Sequence, residues 1–67
     1  MEPHQERVIK EEAELSDKLN KLGAFIHGEV FKTLPEEEQE LLQAQDDTMR
    51  EYLEILRSRI DRFKVKA

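Results

Sequence analysis

After Pro35 the chain runs to Ala67 without a glycine or a proline. Within that span Leu41, Leu42, Gln45, Met49, Tyr52, Leu53, Leu56, Ile60 and Phe63 keep heptad-like spacing, which reads as one face of a single long helix. A helix of roughly 28 residues would be ~42 Å long at 1.5 Å per residue. No other feature limits the fold as much, because an apolar stripe of that length has to lie against another one.

The partner stripe is upstream. Val8, Leu15, Leu19, Leu22 and Ile26 are spaced by 7, 4, 3 and 4 residues, again one helix face, with Ile9 and Ala13 on the far side. Pro3 is tolerated in a first helical turn, so this helix starts near Glu2 or Pro3. Gly23 weakens it by ~1 kcal/mol relative to alanine, and Gly28 supplies the stop. Residues 28–34, GEVFKTL, form a short connection anchored by Val30, Phe31 and Leu34. TLPE reads as the next helix start: Thr33 caps, Glu36 is its capping-box partner and Pro35 occupies the first turn. The run Glu36, Glu37, Glu38 complements the positive end of the helix dipole, and Arg57, Arg59, Arg62, Lys64 and Lys66 complement the negative end. Gln45, inside the stripe, reads as a buried polar contact that sets register, and Tyr52 as core with its hydroxyl at the rim.

The expected fold is therefore all-α: one helical-hairpin domain over residues 1–67, with a helix about 3–27, a connection about 28–34 and a helix about 35–64, the arms antiparallel. A chain of 67 residues buries only ~60% of its unfolded surface when folded alone. Charged residues make up 40% of it and apolar ones 37%, a balance near that of disordered chains unless the apolar positions fall in register. Two helices leave Ile9, Ala13, Ala44 and Ile55 in water, so assembly into a compact homo-oligomer is the expected remedy.

Several function classes drop out. No run of 18 apolar residues exists to span a membrane, and MEPHQERV lacks the apolar region of a signal peptide, which points to a cytosolic location. A net charge of −5 argues against binding duplex nucleic acid, whose affinity comes from neutralising many phosphates. A small phosphate ligand remains compatible, since a few cations make a pocket on an acidic protein. There is no cysteine, His4 and His27 stand outside any metal-ligand spacing, and no GxxxxGK loop or ExxH pair occurs. Neither a metal, a cofactor nor catalysis is expected.

The segment HQERVIKEEAELSDKL, residues 4–19, holds the candidate site. At 100° per residue Arg7, Glu11 and Lys18 lie on one line beside the Val8–Leu15–Leu22 stripe, with His4 and Lys21 flanking it. Two readings stand. Arg7–Glu11 and Glu14–Lys18 form ordinary i,i+4 pairs worth ~0.2–0.5 kcal/mol each. Alternatively, dimerisation turns that edge into a rim and duplicates His4, Arg7 and Lys18 across a two-fold axis. The duplicated cations and rings would suit a compact dianion with two phosphates and two bases.

The segments QERVIKEEAELSDKLNKLGAFI, FKTLPEEEQELLQAQ and MREYLEILRSRI, in that order, resemble the small phage proteins that sequester cyclic oligonucleotides and so blunt CBASS, a bacterial antiviral defence. The resemblance covers residues 4–63 and is carried by QERV, ELxxKLxKLxxFI, EQELLxxQ and YLxILxxRI. It implies a compact homo-hexamer in the cytoplasm of the infected bacterium. Cyclic dinucleotides would bind between protomers without cleavage. Lys18 of LSDKL matches a lysine that meets phosphate, and His4 falls at or beside an aromatic position that stacks on a base; Arg7 comes from the helical wheel alone. Arg59 of RSRI matches an arginine that holds cyclic trinucleotides near a three-fold axis. The competing class is a non-catalytic helical module that pairs with a helix of another protein.

Overall fold

A computed structural model describes residues 2–64. It is an all-α hairpin: α1 (Pro3–Ile26) and α3 (Glu36–Lys64) pack side by side, joined by a connector that holds the single-turn helix α2 (Glu29–Lys32). The rod measures 51 × 15 × 14 Å, as expected of a 29-residue α3 rising 1.5 Å per residue. Lys66, counted above with the basic helix end, lies outside the described residues.

Local chemistry sets the ends. Glu2 is extended (φ −67°, ψ 147°) with Pro3 as the first helical residue, and its backbone N–H donates to Gln5 Oε1 at 3.2 Å. At the other end of α1 the His27 N–H reaches the Gly23 carbonyl and the Gly28 N–H the Phe25 carbonyl, both at 3.1 Å. Gly28 then turns extended (φ −91°, ψ 177°) and opens α2.

Thr33 does not cap α3. Its hydroxyl donates to the Val30 carbonyl at 2.7 Å, the same carbonyl that accepts the Thr33 N–H at 3.0 Å, so Thr33 closes α2. The start of α3 is tied instead by Gln39, whose side-chain Nε2 donates to the Leu34 carbonyl at 2.9 Å and whose N–H donates to the Pro35 carbonyl at 3.0 Å.

Val8, Leu19, Phe31, Leu53 and Leu56 are buried, with Leu56 wholly enclosed. Leu15, Leu22, Ile26, Met49, Ile60 and Phe63 are half-buried around them. Phe31 brings the connector under the hairpin and meets Phe25 edge to face, ring centroids 6.4 Å apart. Fully burying such a side chain contributes ~1.5–3 kcal/mol, and a core this small leaves the protomer marginal.

The seam of α3 keeps six of the expected positions, while Leu41, Gln45 and Tyr52 are exposed on its flank. Leu42, Asp46, Met49, Leu53, Leu56, Ile60 and Phe63 face α1 or its edge, at alternating spacings of four and three. Leu41 is 66% exposed and Gln45 is exposed, its Nε2 donating only to Met49 Sδ at 3.7 Å. The buried polar group is Asp46, not Gln45. A charged residue hid the heptad position that apolar counting assigned to its neighbour. Ile9 is half-buried rather than on the far side, whereas Ala13, Ala44 and Ile55 are exposed. Among the described residues no helix is long and apolar enough to cross a membrane.

Candidate functional site

Lys18 stands at a cavity of about 290 Å³ where α1 meets α3, lined by Glu11, Glu14, Leu15 and Lys18 of α1 and by Tyr52 of α3. The α1 residues gather there because spacings of three, four and seven return to one helix face. Tyr52 reaches the cavity from the flank of its own seam, one position before buried Leu53, with 41% of its surface exposed. Its hydroxyl donates to the Glu11 carboxylate. That hydrogen bond holds the Tyr52 pKa above the ordinary phenol value; partial loss of hydration and the Glu11 charge add to the rise, and Arg59 opposes it.

The ion pairs lie elsewhere. Lys21 pairs with Asp17 at 3.1 Å, Lys32 with Glu29 at 3.5 Å, Arg50 with Asp46 at 2.8 Å and Arg57 with Glu12 at 2.9 Å. Neither Arg7–Glu11 nor Glu14–Lys18 forms among the described residues, because Glu11 is engaged by Tyr52 and Lys18 has no carboxylate within pairing distance. Of the two readings of this edge, the i,i+4 pairs are not what the fold adopts.

His4, Arg7 and Lys18 do not converge within one protomer. Fourteen positions of helix separate His4 from Lys18, about 21 Å at 1.5 Å per residue, and Arg7 is about 16 Å away. The exposed His4 ring meets Phe63 edge to face at the open end of the hairpin, centroids 6.4 Å apart. A compact ligand touching both His4 and Lys18 therefore has to touch two protomers.

The arginines near the end of α3 divide into two groups. Arg57 faces α1, where Glu12 holds it beside Ile60 and Asp61. Arg59 and Arg62 line a separate groove of about 490 Å³ with Glu51, Glu54, Ile55 and Ser58, all on one face of α3. Arg59 and Lys18 thus line different cavities.

Electrostatics limits what an isolated protomer can do. Glu11 and Glu14 outnumber Lys18 in the α1–α3 cavity, so an anion gains little there without further cations. Sequence reasoning placed Lys18 and the Tyr52 hydroxyl near a rim but missed that Glu11 and Tyr52 join beside Lys18. The helical repeat sets Glu11 and Lys18 on one line but carries no signal for the Tyr52 contact, which comes from the other arm.

A protein-family model described as Sequestin matches residues 2–62. The chain is 41% identical over 61 residues to the "Uncharacterized 7.5 kDa protein in denB-rIIB intergenic region" of Enterobacteria phage T4, covering 91% of this chain and 95% of that protein. No solved structure matches.

Proposed function

The chain belongs to the Sequestin family, and from that premise and the Lys18 cavity we propose that it is a phage protein that binds and sequesters cyclic di- and trinucleotide messengers without cleaving them. It acts in the cytoplasm of the infected bacterium and so inhibits CBASS-type defence. The observation that carries this reading is Lys18: a cation without an ion-pair partner among the described residues, at a cavity with an exposed aromatic ring. With no carboxylate among the described residues engaging it, Lys18 is available to a phosphate oxygen.

The separation of His4 and Arg7 from Lys18 fits a site built between copies. Across a two-fold axis, the His4 and Arg7 end of one α1 comes beside Lys18 of another, and the rings and cations appear twice. The added cations offset Glu11 and Glu14. Arg59, on its own face of α3, serves the trinucleotide near a three-fold axis. A homo-oligomer, hexameric by resemblance, supplies both kinds of axis.

Sequestration works by mass action, so site concentration and Kd against messenger concentration decide the outcome. A nanomolar Kd requires ~12 kcal/mol, within reach of two phosphates and two stacked bases in a largely pre-formed pocket. The test is calorimetric titration with a panel of cyclic di- and trinucleotides alongside mass by light scattering. Tight binding at a fraction of a ligand per chain is expected, with Lys18→Glu abolishing dinucleotide binding at unchanged mass. Unchanged affinity in that variant would remove Lys18 from the site. A well-formed protein that binds none of the panel would favour the helix-pairing module, for which the exposed Leu41 and Ile55 on α3 are the surface.

A further inference from the structure

We propose that the Glu11–Tyr52 pair is the base-reading wall of the Lys18 cavity and selects guanine over adenine in the bound nucleotide. The inference rests on the sequestration reading and adds to it a specificity determinant.

The geometry is specific. Glu11 and Lys18 line one cavity from one helix face, seven residues or about 10 Å of axis apart. That interval is the reach of a single nucleotide from its phosphate to the far edge of its base. A phosphate held on Lys18 therefore brings a base edge to Glu11. Glu14, between them in sequence, lines the same cavity.

What Glu11 offers is acceptor capacity alone. A carboxylate has two oxygens and about four lone-pair sites, and the Tyr52 hydroxyl occupies one site on Oε2. Oε1 accepts nothing among the described side-chain hydrogen bonds. Guanine presents its N1–H and N2 amine side by side on the Watson–Crick edge, two donors for two oxygens. Adenine presents one amine beside the N1 lone pair, which repels a carboxylate. An acceptor-only group at this place discriminates between them by the same logic as other base-edge readers. Tyr52 is a positioning residue: its hydroxyl holds Glu11 at the cavity wall and away from Arg7, the cation one turn earlier on the same line.

Calorimetry decides it, with three probes: cyclic di-GMP, cyclic di-AMP and the mixed guanine–adenine dinucleotide. The readout is the ratio of affinities, since removing a negative charge beside a phosphate strengthens all three together and cancels in the ratio. Wild-type protein is expected to prefer guanine-containing ligands. Glu11→Gln, nearly isosteric, reduces the preference about tenfold, the size of one good bidentate base contact, and Tyr52→Phe reduces it less. An unchanged ratio in Glu11→Gln, or no guanine preference in the wild type, overturns the inference and leaves Lys18 in place. If Lys18→Glu leaves every affinity intact, the ligand is not in this cavity, and the site reading falls with the inference. Circular dichroism and light scattering on each variant separate these results from misfolding.

Discussion

The Tyr52 hydroxyl donates to the Glu11 carboxylate across the hairpin, joining residues 41 positions apart in the chain. Hydrogen bonding to a carboxylate favours the protonated phenol, so the folded pKa lies above the ordinary value of about 10. The sign of the linked stability follows. The contribution is present in full below about pH 10 and is lost as pH rises through the higher folded value. Tyr52 is the one tyrosine and there is no tryptophan, so alkaline absorbance reports it without interference. Its midpoint is expected above the free phenol value and to fall back towards it in Glu11→Gln.

Asp46 is 8% exposed, and its Oδ1 has no hydrogen-bond partner among the described residues. Its Oδ2 is held by Arg50 at 2.8 Å one turn along the same helix, and that bond raises the Arg50 pKa. The seam pays for a half-satisfied carboxylate where a leucine would complete the heptad. Asp46→Leu is expected to stabilise the protein by about 1–2 kcal/mol in urea unfolding, since burying an unpaired polar atom costs about that much. Arg50→Ala is expected to destabilise it, because it leaves the carboxylate with no partner at all.

Gly23 sits in the interior of α1, and a Cβ built there meets nothing within 4 Å. Helical backbone suits alanine, and alanine has less freedom to lose on folding. Gly23→Ala is expected to raise stability by about 0.5–1 kcal/mol, read by thermal or denaturant melting. A fall instead would mean that another copy approaches the backbone closely at this position in the assembly.

The hairpin, its two long arms and the Gly28 break could be read from periodicity and breakers, because a strict apolar spacing over so many residues admits few other structures. Asp46 could not: a charged side chain in a heptad position looks like a solvent position, and only its place between Leu42 and Met49 reveals otherwise. Thr33 was misassigned for a related reason. TLPE is compatible both with opening α3 and with closing a turn before it, and here both the Thr33 N–H and its hydroxyl turn back to the Val30 carbonyl. At the candidate site, the line from Arg7 to Lys18 was legible from the helical repeat. Which acid pairs with which partner was not, because Tyr52 comes from the opposite arm and outcompetes Arg7 for Glu11.

The proposed self-association would have a specific surface on α3. Leu41, Thr48, Ile55 and Arg62 recur every seven residues along α3, with Ala44 and Ser58 between them, and all are exposed. Ile55 is 57% exposed, so a charge there costs the isolated hairpin little. In light scattering the wild-type protein is expected at a multiple of its 8.0 kDa chain mass, and Ile55→Glu near a single chain. Its melting temperature should then fall and lose its dependence on concentration, because assembly no longer stabilises the fold.

Arg59 and Lys18 line separate cavities, one on α3 alone and one where α1 meets α3. Sites without shared partners vary independently, so charge reversal at each should affect a different ligand. A charge-assisted hydrogen bond is worth about 1.5–3 kcal/mol, so losing it weakens binding by about one to two orders of magnitude. A three-fold axis would repeat that loss. Arg59→Glu is expected to abolish cyclic trinucleotide binding while dinucleotide affinity stays within severalfold of wild type. Lys18→Glu is expected to do the reverse. The small crossover has a cause: Arg59 acts on Tyr52 through its charge, and Tyr52 borders the Lys18 cavity. Competition titrations with both ligands on one sample measure this directly. Mutual displacement would merge the two cavities into one site shared between protomers, and independent saturation would keep them apart.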